Sequence, residues 1–114
     1  MPLSINTSVS ALNALGTRQA VTANNIANLE STEFKKSRVL SEAGTTGSVS
    51  TRLQPINSPG VMINQPDGSL QELSNVELEK ELTEMIPTRR GYEANLKALQ
   101  VSGEMEDSAL DLIG

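Results

Sequence analysis

Among the side chains of this sequence, the carboxylates most resemble, in type and spacing, the residues of a catalytic or metal-binding site. Four of them cluster between positions 104 and 111: Glu104, Glu106, Asp107 and Asp111. Such a cluster can hold a metal ion or supply a general acid and base. It is also the ordinary pattern of a solvated helix face. The sequence contains no histidine, the commonest general base and transition-metal ligand, so we predict a solvated face and no metal site.

The remaining residue types offer no better chemistry. Serine and threonine are numerous, but no histidine is present to activate a hydroxyl as a nucleophile. The absence of cysteine excludes disulfides and thiolate chemistry. Asp67-Gly68-Ser69 lacks the alternating oxygen ligands and terminal glutamate of a calcium loop and predicts a plain turn. We predict no enzymatic activity, no catalytic residues and no cofactor, and an enzyme that uses the acidic cluster is the least favoured alternative.

Charge and hydropathy restrict the partners. The net charge of −5 argues against nucleic acid or an anionic membrane, since both require clustered lysine and arginine. Arg89 and Arg90 could contact a phosphate, but on a helix we expect them to bridge to Glu93 or to acidic groups of a neighbouring subunit. No stretch approaches the ~20 apolar residues of a membrane span, and the N-terminus lacks the features of a secretory signal peptide. We expect no direct membrane insertion and no cleaved signal.

The first element that the sequence predicts is a helix from about Ser4 to Asn28. Its apolar and small residues repeat at alternating spacings of four and three, the pattern of one helix face. We call this set the α1 seam: Ile5, Val9, Leu12, Gly16, Gln19, Ala23 and Ile26. Alanine is frequent around it, which permits a close neighbour but leaves little area for an isolated helix to bury.

A second helix is predicted from about Asn75 to Ile113, opened by a capping box of Ser74 and Glu77. The same spacing holds throughout, and we call its residues the α2 seam: Leu78, Leu82, Met85, Arg89, Tyr92, Leu96, Leu99, Gly103, Glu106, Leu110 and Ile113. Pro87 lacks an N–H and crowds the carbonyl of Thr83. It therefore predicts either a kink or a break into two helices.

Between the helices the pattern changes. Residues 41–48 form a polar, glycine-containing stretch. Residues 49–53 show a weak alternation of apolar and polar side chains and could form a strand. Residues 61–64 and 69–73 read as two short strands joined by a turn at 65–68. We predict one small hairpin with loops, too small to be stable alone. The predicted division is an N-terminal helix at 1–29, a loop and β-hairpin insert at 30–73, and a C-terminal helix at 74–114.

Composition indicates where stability must come from. Only 37% of residues are apolar, and Phe34 and Tyr92 are the sole aromatics, so a compact core built around several rings is excluded. Medium-sized apolar residues suit helix-on-helix packing, with neighbours supplying the missing surface. The residues predicted to pack in this way are Val9, Leu12, Ile26, Leu78, Leu82, Met85, Tyr92, Leu96, Leu99 and Leu110. We expect the free monomer to be partly disordered at both ends.

Two segments carry a resemblance to a known family. Residues 10–15 and 21–28, the latter reading VTANNIAN, resemble the N-terminal signature of bacterial flagellar rod and hook proteins, in which an Asn-Asn-Ile/Leu-Ala-Asn helix end precedes a polar turn. Residues 75–105, with RRGYEAN at 89–95, resemble the family's C-terminal end. The matching motif residues are Asn24, Asn25, Ile26, Ala27, Asn28, Phe34, Arg89, Tyr92, Ala94 and Asn95. Glu33 stands where the family usually has glycine, and the family pattern has no proline at position 87.

The resemblance implies a mainly α fold in which the two terminal helices pair antiparallel, in the manner of a coiled coil, around a small β-hairpin insert. It implies a structural subunit of the basal-body rod, most similar to the small proximal-rod type, which assembles with itself and other rod proteins into the axial drive shaft. Such subunits pass unprocessed through the flagellar type III export apparatus into the periplasm-spanning rod. The alternative that the residues leave open is a cytosolic coiled-coil adaptor with a single partner.

Overall fold

The computed structural model describes the backbone of residues 2–113 and the side chains of residues 5–112. Two long helices frame two short hairpins, in the order α1 (Pro2–Ala27), β1 (Ser37–Ala43), β2 (Val49–Pro55), β3 (Met62–Asn64), β4 (Leu70–Glu72) and α2 (Leu78–Ile113). The molecule is elongated, with principal extents of 79 × 24 × 14 Å. The predicted boundaries of the three chain segments stay a prediction.

The two helices run antiparallel and in contact. Leu15 lies against Gly91, while ten residues further along α1 Asn25 lies against Glu81. A Cβ atom at Gly91 would sit 3.3 Å from Leu15 Cδ1, so the glycine allows the helices their close approach. The predicted fold class, mainly α with an antiparallel helix pair and a small antiparallel β insert, is confirmed.

Helix α2 runs without a break through Pro87, so the predicted alternative of two separate helices is wrong. Threonine hydroxyls bond within the helix on both sides of the proline: Thr83 Oγ1 donates to the Glu79 carbonyl at 2.7 Å and Thr88 Oγ1 to the Glu84 carbonyl at 2.8 Å. The predicted capping box does not form either. Ser74 Oγ accepts from the Val76 amide at 3.1 Å, and α2 begins only at Leu78.

The insert holds two hairpins where the sequence predicted one. The anticipated hairpin is β3–β4, with Ile63 opposite Gln71. The additional hairpin is β1–β2, in which Val39 lies opposite Leu53. Its first strand was missed because seven residues, SRVLSEA, bury only Val39 and show no apolar alternation. The hairpin rests on α1, where Ser10 Oγ donates to the Val49 carbonyl at 2.8 Å.

The interior of the described part is small and largely polar. The buried hydrophobic residues among those described are Ala14, Val39 and Val76. The buried polar residues are twice as many: Thr22, Asn25, Ser74, Asn75, Glu81 and Thr88. Because burying a large apolar side chain supplies roughly 1.5–3 kcal/mol, this interior offers the lone chain little hydrophobic stabilisation. Hydrogen bonds therefore carry an unusual share of the architecture.

Candidate assembly interface

Asn25 joins three elements through one buried side chain. It is 2% exposed. Its Nδ2 donates to the Ser37 carbonyl at 3.0 Å, and its Oδ1 accepts from the Ser37 amide at 3.1 Å, so the carboxamide pairs with the start of β1 as a neighbouring strand would. The same Nδ2 lies 3.4 Å from both carboxylate oxygens of Glu81 on α2. We call Asn25, Ser37 and Glu81 the Asn25 latch.

Asn75 makes a similar connection just before α2. Its Oδ1 accepts from the Lys36 amide at 2.7 Å, while its Nδ2 donates to the carbonyls of Ile56 and Ser58 at 2.8 and 2.9 Å. Both ends of the β1–β2 hairpin are thereby fixed to the helix pair. Sequence reasoning placed Asn25 in the family motif without a physical role and assigned none to Asn75. It counted Glu81 among the carboxylates near the positive start of the second helix and did not predict its burial. The signal that could have found Asn25 is a polar residue inside a helix otherwise rich in alanine.

Asn28 ends α1 and directs the chain into the turn that follows. Its amide lies 3.2 Å from the Asn24 carbonyl and its Nδ2 donates to the same oxygen at 2.9 Å. Ser31 Oγ donates to Asn28 Oδ1 at 3.0 Å. Glu33 then adopts φ 61°, a left-handed conformation that glycine adopts more easily. The glycine that the resemblance leads us to expect at this position would adopt this conformation without the strain that Glu33 bears.

Replacing Glu33 by glycine is expected to stabilise the chain by about 1 kcal/mol, because the strained φ angle becomes a favourable one. The gain should be seen as a higher midpoint in urea unfolding followed by circular dichroism. Glu30→Gly, also exposed but outside the left-handed position, is the control and should not stabilise. An equal midpoint for Glu33→Gly and wild type would contradict the strain.

Burial raises the pKa of the Glu81 carboxyl above its ordinary value. The hydrogen bond from Asn25 and the charge of Lys36 oppose the rise, while the nearby carboxylate of Glu84 adds to it. The latch borders a cavity of about 190 Å³, whose charged lining residues are Arg18, Lys36, Arg38, Lys80, Glu81 and Glu84. The Glu81 carboxyl therefore has a higher pKa in the folded chain than in the unfolded chain.

Glu81 should therefore make stability fall as pH rises. Its raised pKa in the folded chain means that its contribution is complete below the unfolded pKa and is lost as pH rises through the folded value. Glu81→Gln is expected to remove this part of the pH dependence and to raise the unfolding free energy at neutral pH. Glu79→Gln, an exposed neighbour, should keep the wild-type profile. Unfolding curves between mildly acidic and neutral pH test this, and a profile unchanged in Glu81→Gln would contradict it.

The two predicted seams meet at one side of the helix pair. They do not form the most buried part of the helix contact, which lies at Thr22, Asn25, Glu81 and Thr88. Instead, residues of both seams line an open, mainly apolar groove of about 640 Å³. The groove residues are Leu15, Gly16, Gln19, Ala20, Ala23, Thr88, Arg89, Tyr92, Glu93 and Leu96. The β1–β2 hairpin contacts α1 at Ser10, Arg18 and Asn25. None of these three residues lines the groove.

Many seam side chains remain open to solvent. The exposed fractions are 41% for Val9, 40% for Leu78, 48% for Leu82, 41% for Tyr92, 50% for Leu96 and 62% for Leu110. Leu12, Ile26, Met85 and Leu99 are half-buried. The assignment of these ten residues to subunit packing stays a prediction. What the structure provides is an apolar face that its own chain leaves partly uncovered.

The remaining motif residues are dispersed. Arg89 Nε bonds Glu93 Oε1 at 3.2 Å, which confirms the predicted bridge. Asn95 Nδ2 donates to the Gly91 carbonyl at 2.9 Å, and the Phe34 carbonyl accepts from the Asn75 amide at 3.2 Å. Ala27 and Ala94 are exposed.

The acidic cluster at 104–111 is exposed. Among the described residues, no three carboxylates converge into a group suited to a metal ion. In the same part of the chain, no helix combines the length and apolarity that a membrane span requires.

Comparison with known families bears on this arrangement. Residues 5–35, which comprise most of α1 and the strained turn, match the family described as flagella basal body rod protein. Residues 67–112, which comprise β4 and nearly all of α2, match the family described as flagellar basal body rod FlgEFG protein C-terminal. Neither match singles out the small proximal-rod type, and no protein of curated function matches the chain. With both helices matched in order, the chain belongs to the flagellar basal-body rod protein family.

Proposed function

We propose that this chain is a subunit of the axial drive shaft and joins it by packing its seam face against other rod subunits. The family has a structural role in the rod, and the geometry supplies a means of assembly. One observation carries the proposal: leucines of the α2 seam remain 40–62% exposed in the single chain, at Leu78, Leu82, Leu96 and Leu110. A soluble protein rarely leaves so many large apolar side chains uncovered along one face.

The small interior supports the same reading. With Ala14, Val39 and Val76 as the buried hydrophobic residues of the described part, the helix pair gains little from folding alone. Each half-exposed seam leucine can gain further burial against a neighbour. Stability and assembly are then coupled, since a partner that binds only the folded chain stabilises it by mass action. Torque would pass through many such side-chain contacts and requires no reaction.

Membership of the family supports further proposals about the export, location and partners of this chain. As a rod subunit, the chain would travel through the flagellar type III export apparatus without a cleaved signal and reside in the periplasm-spanning rod. Its partners would be further copies and other rod proteins. The short insert, with strands of three to seven residues, fits the small proximal-rod type, such as FlgC, better than members with whole extra domains between the helices. The helix pair would face the axis, and the hairpins would face outward.

Light scattering coupled to size exclusion tests the proposal against a coiled-coil adaptor. A rod subunit should form open-ended species whose mean mass grows with protein concentration, alone or with other rod proteins. An adaptor should instead form one complex of fixed stoichiometry with its partner, and its mass should reach a plateau. A chain that remains monomeric at every concentration and never joins rod proteins would refute the proposal.

A further inference from the structure

The insert holds its four strands as two separate sheets of two strands each, β1–β2 and β3–β4. A hairpin of two strands is only marginally stable in water, and further strands stabilise it. β2 and β3 follow each other along the chain, yet they do not pair with each other. Each small sheet therefore ends in a strand whose outer edge is open to another molecule.

The hydrogen bonds of the first hairpin show which residues of β2 point outward. In an antiparallel pair, alternate residues direct their N–H and C=O toward the partner strand, and the residues between them direct these groups away. The Ile56 amide donates to the Lys36 carbonyl at 2.9 Å just beyond the β1–β2 ladder, which sets this alternation. The outward residues of β2 are therefore Val49, Thr51, Leu53 and Pro55.

Two of these four outward residues are free to pair. The amide and the carbonyl of Val49 already bond Ser10 Oγ, at 2.5 and 2.8 Å. Pro55 has no N–H to donate. In the described part of the chain, no residue hydrogen-bonds the backbone of Thr51 or Leu53. We call these two residues the β2 edge.

The second hairpin presents a matching edge. The Leu73 amide donates to the Val61 carbonyl at 2.8 Å at one end of the β3–β4 ladder, so the residues of β3 that point away from β4 are Met62 and Asn64. Among residues 5–112, none hydrogen-bonds the backbone of either. We call these two residues the β3 edge.

The opposite edges of the two hairpins are already in use. Asn25 bonds both backbone groups of Ser37 at the start of β1. On β4, the Glu72 carbonyl accepts from the Glu33 amide at 3.0 Å. The β2 edge and the β3 edge are thus the open sides of the insert.

We propose that the β3 edge of one copy pairs antiparallel with the β2 edge of a second copy. The two hairpins then form one four-stranded antiparallel sheet across the two molecules. Met62 lies opposite Leu53 of the second copy, and Asn64 lies opposite its Thr51. Because each edge offers two free residues at the same spacing, one antiparallel register bonds all of them. This inference rests on the proposed function and specifies a contact outside the seam face.

The side chains are compatible with this register. Leu53 and Met62 are 56% and 50% exposed in the single chain, and they come to lie side by side as an apolar cross-strand pair, which stabilises a sheet. Arg52 is the one charged residue of β2, and β3 has none. Arg52 lies opposite Ile63, so no like charges meet.

The contact is heterologous, because it joins two different edges of the same chain. A copy that has used its β3 edge retains a free β2 edge for the next copy. Heterologous contacts that do not close into a ring generate open-ended helical assemblies. Pairing of the β3 edge with another β3 edge would instead end at two copies, which a shaft cannot use.

Cysteine cross-linking tests the strand contact without background, since the chain has no cysteine. Arg52 and Ile63 face each other at a position without ladder hydrogen bonds, where Cα atoms are about 4.5 Å apart, within the range of a disulfide. Arg52→Cys chains and Ile63→Cys chains, carrying different mass tags, are mixed at a concentration at which the wild type assembles and are then oxidised. We expect mixed disulfides in several-fold excess over those of Ser50→Cys and Ile63→Cys chains, because Ser50 lies two residues out of register.

Asn64→Pro provides a second, independent test. It removes an N–H that has no partner among the described residues, so the hairpin and the helical circular dichroism should remain. The growth of mean mass with concentration should be lost. Asn64→Ala keeps the N–H and is the matched control, which should assemble as the wild type does. Equal assembly of the two variants would overturn the proposal.

The outcomes separate the two levels of inference. If the wild type assembles but Arg52–Ile63 disulfides do not exceed the control, or if Ile63–Ile63 disulfides predominate, the strand contact is wrong and the rod role stands. If the wild type joins neither its own copies nor rod proteins, both fall together.

Discussion

Asn25→Ala is expected to destabilise the folded chain by about 2–4 kcal/mol, the largest effect of any single truncation in α1. The substitution leaves the Ser37 amide and carbonyl and the Glu81 carboxylate without their shared partner. Each buried polar group left unpaired costs about 1–3 kcal/mol. An interior with so few buried apolar residues has little reserve against this loss.

Chemical unfolding followed by circular dichroism measures the effect, and Asn24→Ala is the matched control. Asn24 is the preceding residue of the same helix, has the same side chain and is exposed, so its truncation should change the unfolding free energy by less than about 0.5 kcal/mol. Hydrogen exchange should also rise at the Ser37 amide in Asn25→Ala. Equal stability of the two variants would show that the latch contributes nothing.

Leu82→Asp and Leu96→Asp are expected to abolish assembly and motility while leaving the monomer folded. Both leucines are about half exposed in the free chain, at 48% and 50%, so an aspartate there can remain hydrated until a neighbour covers it. Burying an unpaired carboxylate in an interface then costs about 3 kcal/mol or more, which weakens association about a hundredfold. Leu99→Asp should also block assembly, with an added loss of monomer stability because Leu99 is half-buried.

The control is Thr83→Asp, which adds the same charge to the adjacent, exposed residue outside the seam. It should assemble as the wild type does. Sedimentation of purified chains and swimming of cells that produce each variant as the sole copy are the two readouts. Normal swimming in Leu82→Asp, Leu96→Asp and Leu99→Asp together would refute the assignment of the seam.

The spacing of apolar residues was sufficient to predict both helices. The alternation of four and three from Ile5 to Ile26 lies within the observed α1, and that from Leu78 to Ile113 coincides with α2. Pro87 was expected to interrupt the second helix or bend it, yet the helix continues past it. A proline inside a helix costs about 3 kcal/mol or more, and contact with α1 on either side of Pro87, at Glu81 and at Gly91, offsets this cost by holding the helical turns together.

The site could be predicted only in part, for a physical reason. An apolar pattern finds leucines, but the most buried side chains of the helix pair include Thr22, Asn25, Glu81 and Thr88. Those residue types are typical of surfaces, and nothing in their spacing reveals that they pair across 56 positions, as Asn25 and Glu81 do. The strand at Ser37–Ala43 was missed for a similar reason, because its own apolar pattern does not stabilise it. It is held by pairing with β2, which Ser10 on α1 binds at Val49.

Hydrogen exchange on the dilute chain and on its assembled form tests the central claim most directly, since that claim makes helix stability depend on neighbours. In the dilute monomer, amides of the exposed end of α2, at residues 104–112, and of the start of α1 should exchange within the dead time of the experiment, while those near the Asn25 latch are protected. Upon assembly, protection should spread along both seams. Full protection of both helices in a dilute monomer, with no further gain in the presence of rod proteins, would contradict the account.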